Sequence, residues 1–188
     1  SFAGHGVDCS IYAPYDKKQA REGIATRQHP DTSDCFIWGC VGVNQPRKRL
    51  DLTIAYFAAW WKQMGKPEDA YLYLHTNWDG VYDLRQISEY CGVRGRVLGT
   101  SSGALADDQM PSLYSAFDAM ISTSEGESWG LTHLESMACG VPNIAVKCGG
   151  MPSWAGDAVR WVEPSVYQFT ANRTNTKRWI ASEKDFIS

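Results

Sequence analysis

Two carboxylates in the stretch EGESWGLTHLESMACGVP, Glu127 and Glu135, lie eight positions apart across a glycine turn and an apolar run. Glu127 falls in a loop and Glu135 about one turn inside the helix that GLTHLESMACG predicts. A wholly helical path would separate them by roughly 12 Å, and less if the loop folds back. That is the reach of a sugar nucleotide. One carboxylate could accept hydrogen bonds from a ribose diol and the other from sugar hydroxyls, with a diphosphate between them at the helix N-terminus. Gly126 and Gly130 would let the backbone approach closely. The same spacing also fits a solvated loop residue and a surface helix residue, so the elements around the pair must decide.

Upstream, Pro46-Arg47-Lys48-Arg49 supplies the opposite charge. It reads either as an anion clamp, in which an arginine fork grips two phosphate oxygens and lysine acts as a point charge, or as a solvated first helical turn. Asp107-Asp108 precedes Gln109, Met110 and Pro111 as a helix cap would. His5, in a loop, could line a cleft but reads as structural. His75 ends a strand run and borders the pocket without chemistry, and His133 faces neighbours or solvent. Trp38, Trp60 and Trp61 read as core, whereas Trp129, in the glycine turn, belongs with the site.

These residues are positioned by an alternation of strands and helices. CFIWGCVGV is a continuous apolar run, as a strand covered on both faces needs, and it ends at Gly42. In NQPRKRLDLTIAYFAAWWKQMGK, Leu50, Ile54, Phe57, Trp61 and Met64 form one helical stripe, with Asn44 as cap, Pro46 in the first turn and Gly65 at the exit. AYLYLHTN, RGRVLGT, DAMISTS, VPNIAVKCGG and DAVRWVEP read as further strands. VYDLRQISEYCG, DDQMPSLYSAF and GLTHLESMACG read as helices between them. The pattern predicts an α/β, Rossmann-like parallel sheet with helices on both faces. Residues 14 to 34 read as loop, and 165 to 188 carry too weak a periodicity to place.

With 188 residues, 44% hydrophobic and 21% charged, one domain with a substantial core is expected. A net charge of −3 argues against nucleic acid or an anionic membrane as a general partner, so the expected partner is small. No apolar run approaches the roughly 20 residues of a membrane span, and no basic region leads into an apolar core at the N-terminus. The cysteines, Cys9, Cys35, Cys40, Cys91, Cys139 and Cys148, show no C-x-x-C spacing and read as reduced core thiols, which suits a cytoplasmic chain. Asn172-Arg173-Thr174 matches a glycosylation acceptor, a triplet common by chance.

The word order around the two glutamates adds to this reading. SEGESWGLTHLESMACGVP resembles the donor-binding signature of retaining GT-B glycosyltransferases of the family-four type, in its strand, Ser, Glu-Gly, glycine turn, Glu and Ala-Cys-Gly-Val-Pro. VGVNQPRKRLDLTIAYF is similar to the family's Gly-Arg-x-x-x-x-Lys segment, MPSLYSAFDAMISTS to its helix and Asp before the strand, and GHGVD to the loop leading into its second domain. The resemblance runs from about residue 4 to residue 163 and implies the C-terminal half of a GT-B fold.

Carried over residue by residue, the resemblance implies that Glu127 contacts the donor sugar and Glu135 the ribose. Lys48 would neutralise the diphosphate beside Gly42, and the amides around Trp129, Gly130 and Leu131 would hold sugar and phosphate oxygens. Where the family often has Arg, this chain has Val43, and Arg47 or Arg49 would substitute. The segment VLGTSSGAL would hold the base. Implied as well are a nucleotide sugar as substrate, no cofactor and no metal. The acceptor would sit on an N-terminal domain outside this sequence, so this chain alone would bind donor but transfer sugar poorly. An epimerase of the same architecture and a non-catalytic binding domain remain as alternatives.

Overall fold

The structure, a computed structural model, describes residues 4–24, 31–99, 105–170 and 176–188. In chain order it contains α1 (Lys17–Ile24), β1 (Phe36–Val41), α2 (Leu50–Gln63), β2 (Ala70–His75), α3 (Leu84–Cys91) and β3 (Val97–Leu98). There follow α4 (Met110–Ser115), β4 (Ala119–Ser122), α5 (Leu131–Ala138), β5 (Asn143–Val146), α6 (Pro152–Ala155) and β6 (Val159–Val162). The chain ends with β7 (Pro164–Phe169), β8 (Lys177–Ala181) and α7 (Glu183–Phe186).

Six strands form one parallel sheet in the order β3-β2-β1-β4-β5-β6. The apolar runs produce it because both faces of each central strand are covered. On β1, Trp38 and Cys40 enter the core beneath α2, α3 and α7, while Ile37 and Val41 enter the core beneath α1 and α4. The α5 and α6 side chains Met137 and Trp154 extend that second layer over Ala145 and Val159. Ile37, Leu72, Leu74 and Ile121 are wholly buried, each contributing about 1.5–3 kcal/mol to the folded state.

Gly39, between the two apolar pairs of β1, lies under the Phe117 ring, and a β-carbon there would meet Phe117 Cδ2 at 2.0 Å. Gly39→Ala is therefore expected to destabilise the sheet by about 1–3 kcal/mol through overpacking. An unchanged urea midpoint would count against this packing.

The helical stripe of α2 departs from its expected path at the start. Pro46–Lys48 is a separate 3-10 turn, and Arg49, at φ 50°, breaks it from α2. Asn44 does not cap this helix. Its Nδ2 donates to Tyr82 O at 2.8 Å, its Oδ1 accepts from Tyr82 N at 3.1 Å, and its own N–H donates to Asn77 Oδ1 at 2.9 Å. It clips together the loops leaving β1 and β2. Met64 is exposed rather than part of the buried stripe. Nor do Asp107 and Asp108 cap α4: the capping position is Gln109, which makes no side-chain cap hydrogen bond.

Two segments read as loop or left unplaced are structured. α1 forms where buried Arg21 reaches Asp118 at 2.6 Å, and the same carboxylate accepts from Ile37 N at 2.7 Å. β7 and β8 form an antiparallel hairpin, and α7, capped by Ser182, inserts Phe186 against Trp38 and Tyr56. The glycosylation triplet and residues 100–104 of VLGTSSGAL lie outside the described residues.

Candidate functional site

Strands β1 and β4 are neighbours in space but not in sequence order, so the loops leaving their carboxyl ends diverge and leave a crevice. The two loops are bonded to each other at the base of that crevice. Glu125 N donates to Arg47 O at 2.9 Å, Thr123 Oγ1 to Arg49 O at 2.7 Å, and Ser124 Oγ to Arg47 O at 3.3 Å.

On this frame Glu127 meets both basic residues of the 3-10 turn. Lys48 Nζ lies 2.6 Å from one carboxylate oxygen and Arg47 Nη1 2.9 Å from the other, with Arg47 also donating to Gly126 O at 2.7 Å. Burial pushes the Glu127 carboxyl up, but Lys48, a hydrogen bond from Ser124 and Arg47 together hold it below its ordinary value of 4.5. The Lys48 stem runs past Gly42, whose β-carbon position is 3.5 Å from Lys48 Cε.

Gly42 also lines a cavity of about 610 Å³ at the ends of β1 and β2, bordered by Val43, His75, Thr76, Thr132 and Glu135. Glu135 accepts a 2.6 Å hydrogen bond from the wholly buried Tyr114 hydroxyl. Burial first, then that bond to a carboxylate, raise the Tyr114 pKa far above its usual range, so the hydroxyl remains a donor. His75 Nδ1 and Thr76 Oγ1 are buried without a hydrogen-bond partner among the described residues, and burial lowers the His75 pKa.

Gly130 opens α5 at φ +76°, in the left-handed region, and a β-carbon there would meet Met151 Sδ at 2.4 Å. Glycine is needed on both counts. Before it, Trp129 stacks on Trp154 at 5.4 Å and accepts its indole N–H at 3.0 Å, while His5 packs edge-on against Trp129. Leu131 is exposed at the helix start.

The structure thus gathers Glu127, Lys48 and Arg47 into one ion-paired cluster, with Gly42 joining it to the cavity that Glu135 lines. Trp129, Gly130 and Leu131 form the entrance to α5. Arg49 is committed elsewhere, to Asp51 at 2.9 Å and to the buried Glu125 at 3.0 Å. His133 does not face solvent: it is buried and bonded through Nδ1 to Asn143 Oδ1 at 2.6 Å. Tyr114 is not among the residues the sequence singles out, because its bond to Glu135 joins positions 21 residues apart. Among the described residues no group of three or more His, Cys, Asp or Glu is arranged to hold a metal ion, and no helix is long and apolar enough to cross a membrane.

The sequence model of one family, described as glycosyl transferases group 1, matches residues 23–175. The D-inositol 3-phosphate glycosyltransferase of Salinispora arenicola is 38% identical over 188 residues, covering 89% of this chain and 40% of that protein. The protein of that name from Segniliparus rotundus is 31% identical over 160 residues, covering 84% and 34%. The chain thus spans between 34% and 40% of the length of these two relatives. Among solved structures, the C-terminal domain of a glycosyl transferase group 1 family protein from Francisella tularensis superposes with a TM-score of 0.66 at 22% identity, covering 85% of this chain and 81% of that one. Anabaena HepE in complex with UDP-glucose gives a TM-score of 0.62 at 26% identity, covering 79% and 38%.

Proposed function

The chain belongs to the glycosyl transferases of group 1, and from that premise we propose that it is the donor-binding domain of a retaining glycosyltransferase using a nucleotide diphosphate sugar. The observation that carries this reading is the crevice at the β1–β4 switch point, with Glu135 on the cavity wall and the Glu127–Lys48–Arg47 cluster beside Gly42. Glu135 receives the ribose hydroxyls, and Glu127 receives the hydroxyls of the sugar. The Lys48 ammonium and the first amides of α5, from Gly130 and Leu131, face the diphosphate. Trp129 borders the sugar.

Transfer develops oxocarbenium character on the sugar and negative charge on the departing diphosphate. Cations held in place before the reaction, such as Lys48 and Arg47, lower that barrier without reorganising, and no cofactor or metal is invoked. The acceptor is held by a separate domain, so this chain by itself binds donor and transfers slowly. HepE is described in complex with UDP-glucose, which makes a UDP sugar the first donor to test, and the relatives' names make a phosphorylated cyclitol the first acceptor. Free, buried Cys40, Cys139 and Cys148 suit a reducing, cytoplasmic setting.

The test is calorimetric titration of the chain with UDP, GDP and ADP and one sugar conjugate of each. One nucleotide is expected to bind together with its sugar conjugate, and this names the base. Absence of binding by all six at millimolar concentration would overturn the donor-site reading.

A further inference from the structure

We propose that Arg178, carried on the β7–β8 hairpin, is an additional anion-holding residue of the site and takes a phosphate oxygen of a substrate at the Glu127 loop. The inference rests on the donor-site reading above. It adds to that reading a residue from a part of the chain outside the two glutamate and lysine motifs.

The hairpin is fastened to the loop that carries Glu127. Trp179 N donates to Glu125 O at 3.3 Å, and Gln168 Nε2 donates to the Glu125 carboxylate at 2.6 Å. Gln168 and Arg178 are cross-strand partners, and directly paired residues project to the same face of a hairpin. Arg178 accordingly reaches the loop as Gln168 does: its Nη1 lies 3.4 Å from the position a β-carbon would occupy on Gly126. The opposite face carries Tyr167 and Trp179, with Lys177 over both rings.

Charge distinguishes Arg178 from its neighbours. Arg47 and Lys48 are paired with Glu127, and Arg49 with Asp51 and Glu125. Among the described residues Arg178 has no carboxylate within 4.0 Å, and its Nε is buried without a hydrogen-bond partner. Around this loop four cations therefore face three carboxylates, Asp51, Glu125 and Glu127. The Glu125 carboxylate accepts from Arg49 Nη1 at 3.0 Å and from Gln168 Nε2 at 2.6 Å, and among the described residues no ion pair joins it to Arg178. A guanidinium held against a glycine, with its fork unspent, matches the paired oxygens of a phosphate. That phosphate belongs either to the diphosphate of the nucleotide sugar or to a phosphorylated acceptor.

The experiment compares the chain with Arg178→Gln and Arg178→Lys. Each is titrated with the nucleoside diphosphate that the unmodified chain binds, with the corresponding nucleoside, and with inorganic phosphate after saturation by the diphosphate. If the donor supplies the anion, Arg178→Gln weakens the diphosphate by about tenfold or more, the loss of one charge-assisted hydrogen bond, and leaves the nucleoside unchanged. If the acceptor supplies it, diphosphate binding is unchanged and the added inorganic phosphate no longer binds. A folded Arg178→Gln variant that matches the original in every titration overturns the proposal. Should that variant fail to fold, Arg178→Lys decides, because it keeps the charge and loses the fork; equal binding by Lys and Arg then counts against it. If the unmodified chain binds no nucleotide, the donor reading is what fails, and titration of inorganic phosphate alone against both variants still decides the role of Arg178.

Discussion

Glu135→Gln is expected to weaken nucleoside diphosphate binding by about ten- to a hundredfold while leaving the fold intact. A carboxylate accepting from a ribose diol makes two charge-assisted hydrogen bonds, and replacing it with an amide removes the charge from both. The Gln variant is more informative than Ala because of Tyr114. Its hydroxyl, wholly buried, donates to Glu135 at 2.6 Å, and the amide oxygen of Gln can still accept it. Glu135→Ala would orphan that hydroxyl and cost about 1–3 kcal/mol of stability in addition to any lost affinity. Calorimetry and urea denaturation on both variants separate the two effects. Nucleotide affinity unchanged in Glu135→Gln would remove the ribose role.

The second large effect belongs to Glu127→Gln. The Glu127 carboxylate is shared by Lys48 and Arg47, and its side chain and that of Lys48 are only 13% and 15% exposed. Removing its charge leaves two adjacent cations uncompensated, a loss of about 2–4 kcal/mol once the partial exposure of Arg47 is discounted. The sign of the pH dependence follows from the lowered carboxyl. Burial opposes ionisation, Lys48, the Ser124 hydrogen bond and Arg47 together outweigh it, and the folded pKa lies below 4.5. The stabilisation is therefore fully present above the unfolded value and is lost as pH falls through the folded one. The stability gap between the original chain and Glu127→Gln should be wide at neutral pH and close in acid; a gap that stays constant with pH would mean the ion pairs contribute nothing. In binding, the variant should lose the preference for a sugar conjugate over the bare diphosphate.

Legibility in the sequence varied with how local each feature is. The runs of β1 and β2 announce buried strands because both faces of each are covered, and α5 announces itself through Gly130 and Gly140 at its ends. The hairpin does not, because β7 is exposed along most of its length and lacks the apolar alternation that marks a half-buried strand. The break at Arg49 is invisible for another reason: a non-glycine residue at φ 50° is held there by its pairs with Asp51 and Glu125, and Glu125 is 76 positions away. The carboxylates at Asp107 and Asp108 read as a cap because capping is read from residue type and position, whereas the structure gives the capping position to Gln109. Glu127 and Lys48 are legible from residue type, spacing and word order, but their contact, and the engagement of Glu135 by Tyr114, are tertiary facts.

The seam between β1 and β4 has a consequence for how the molecule folds. Lys48 and Glu127 are 79 residues apart, and the two strands that bring them together pair over Trp38–Ala119 and Gly39–Met120. Neither the β1–β3 half nor the β4–β6 half contains a site by itself, since each supplies one wall. Joining them requires closure of a long loop, an entropic cost incurred before the contacts form. A ligand seated across the seam consequently has affinity for the joined sheet and none for the separated halves, and it stabilises the native chain by RT ln(1 + [L]/Kd). Such a molecule acts as a clasp: it retards unfolding, whereas the rate of folding stays set by the search that brings the halves together.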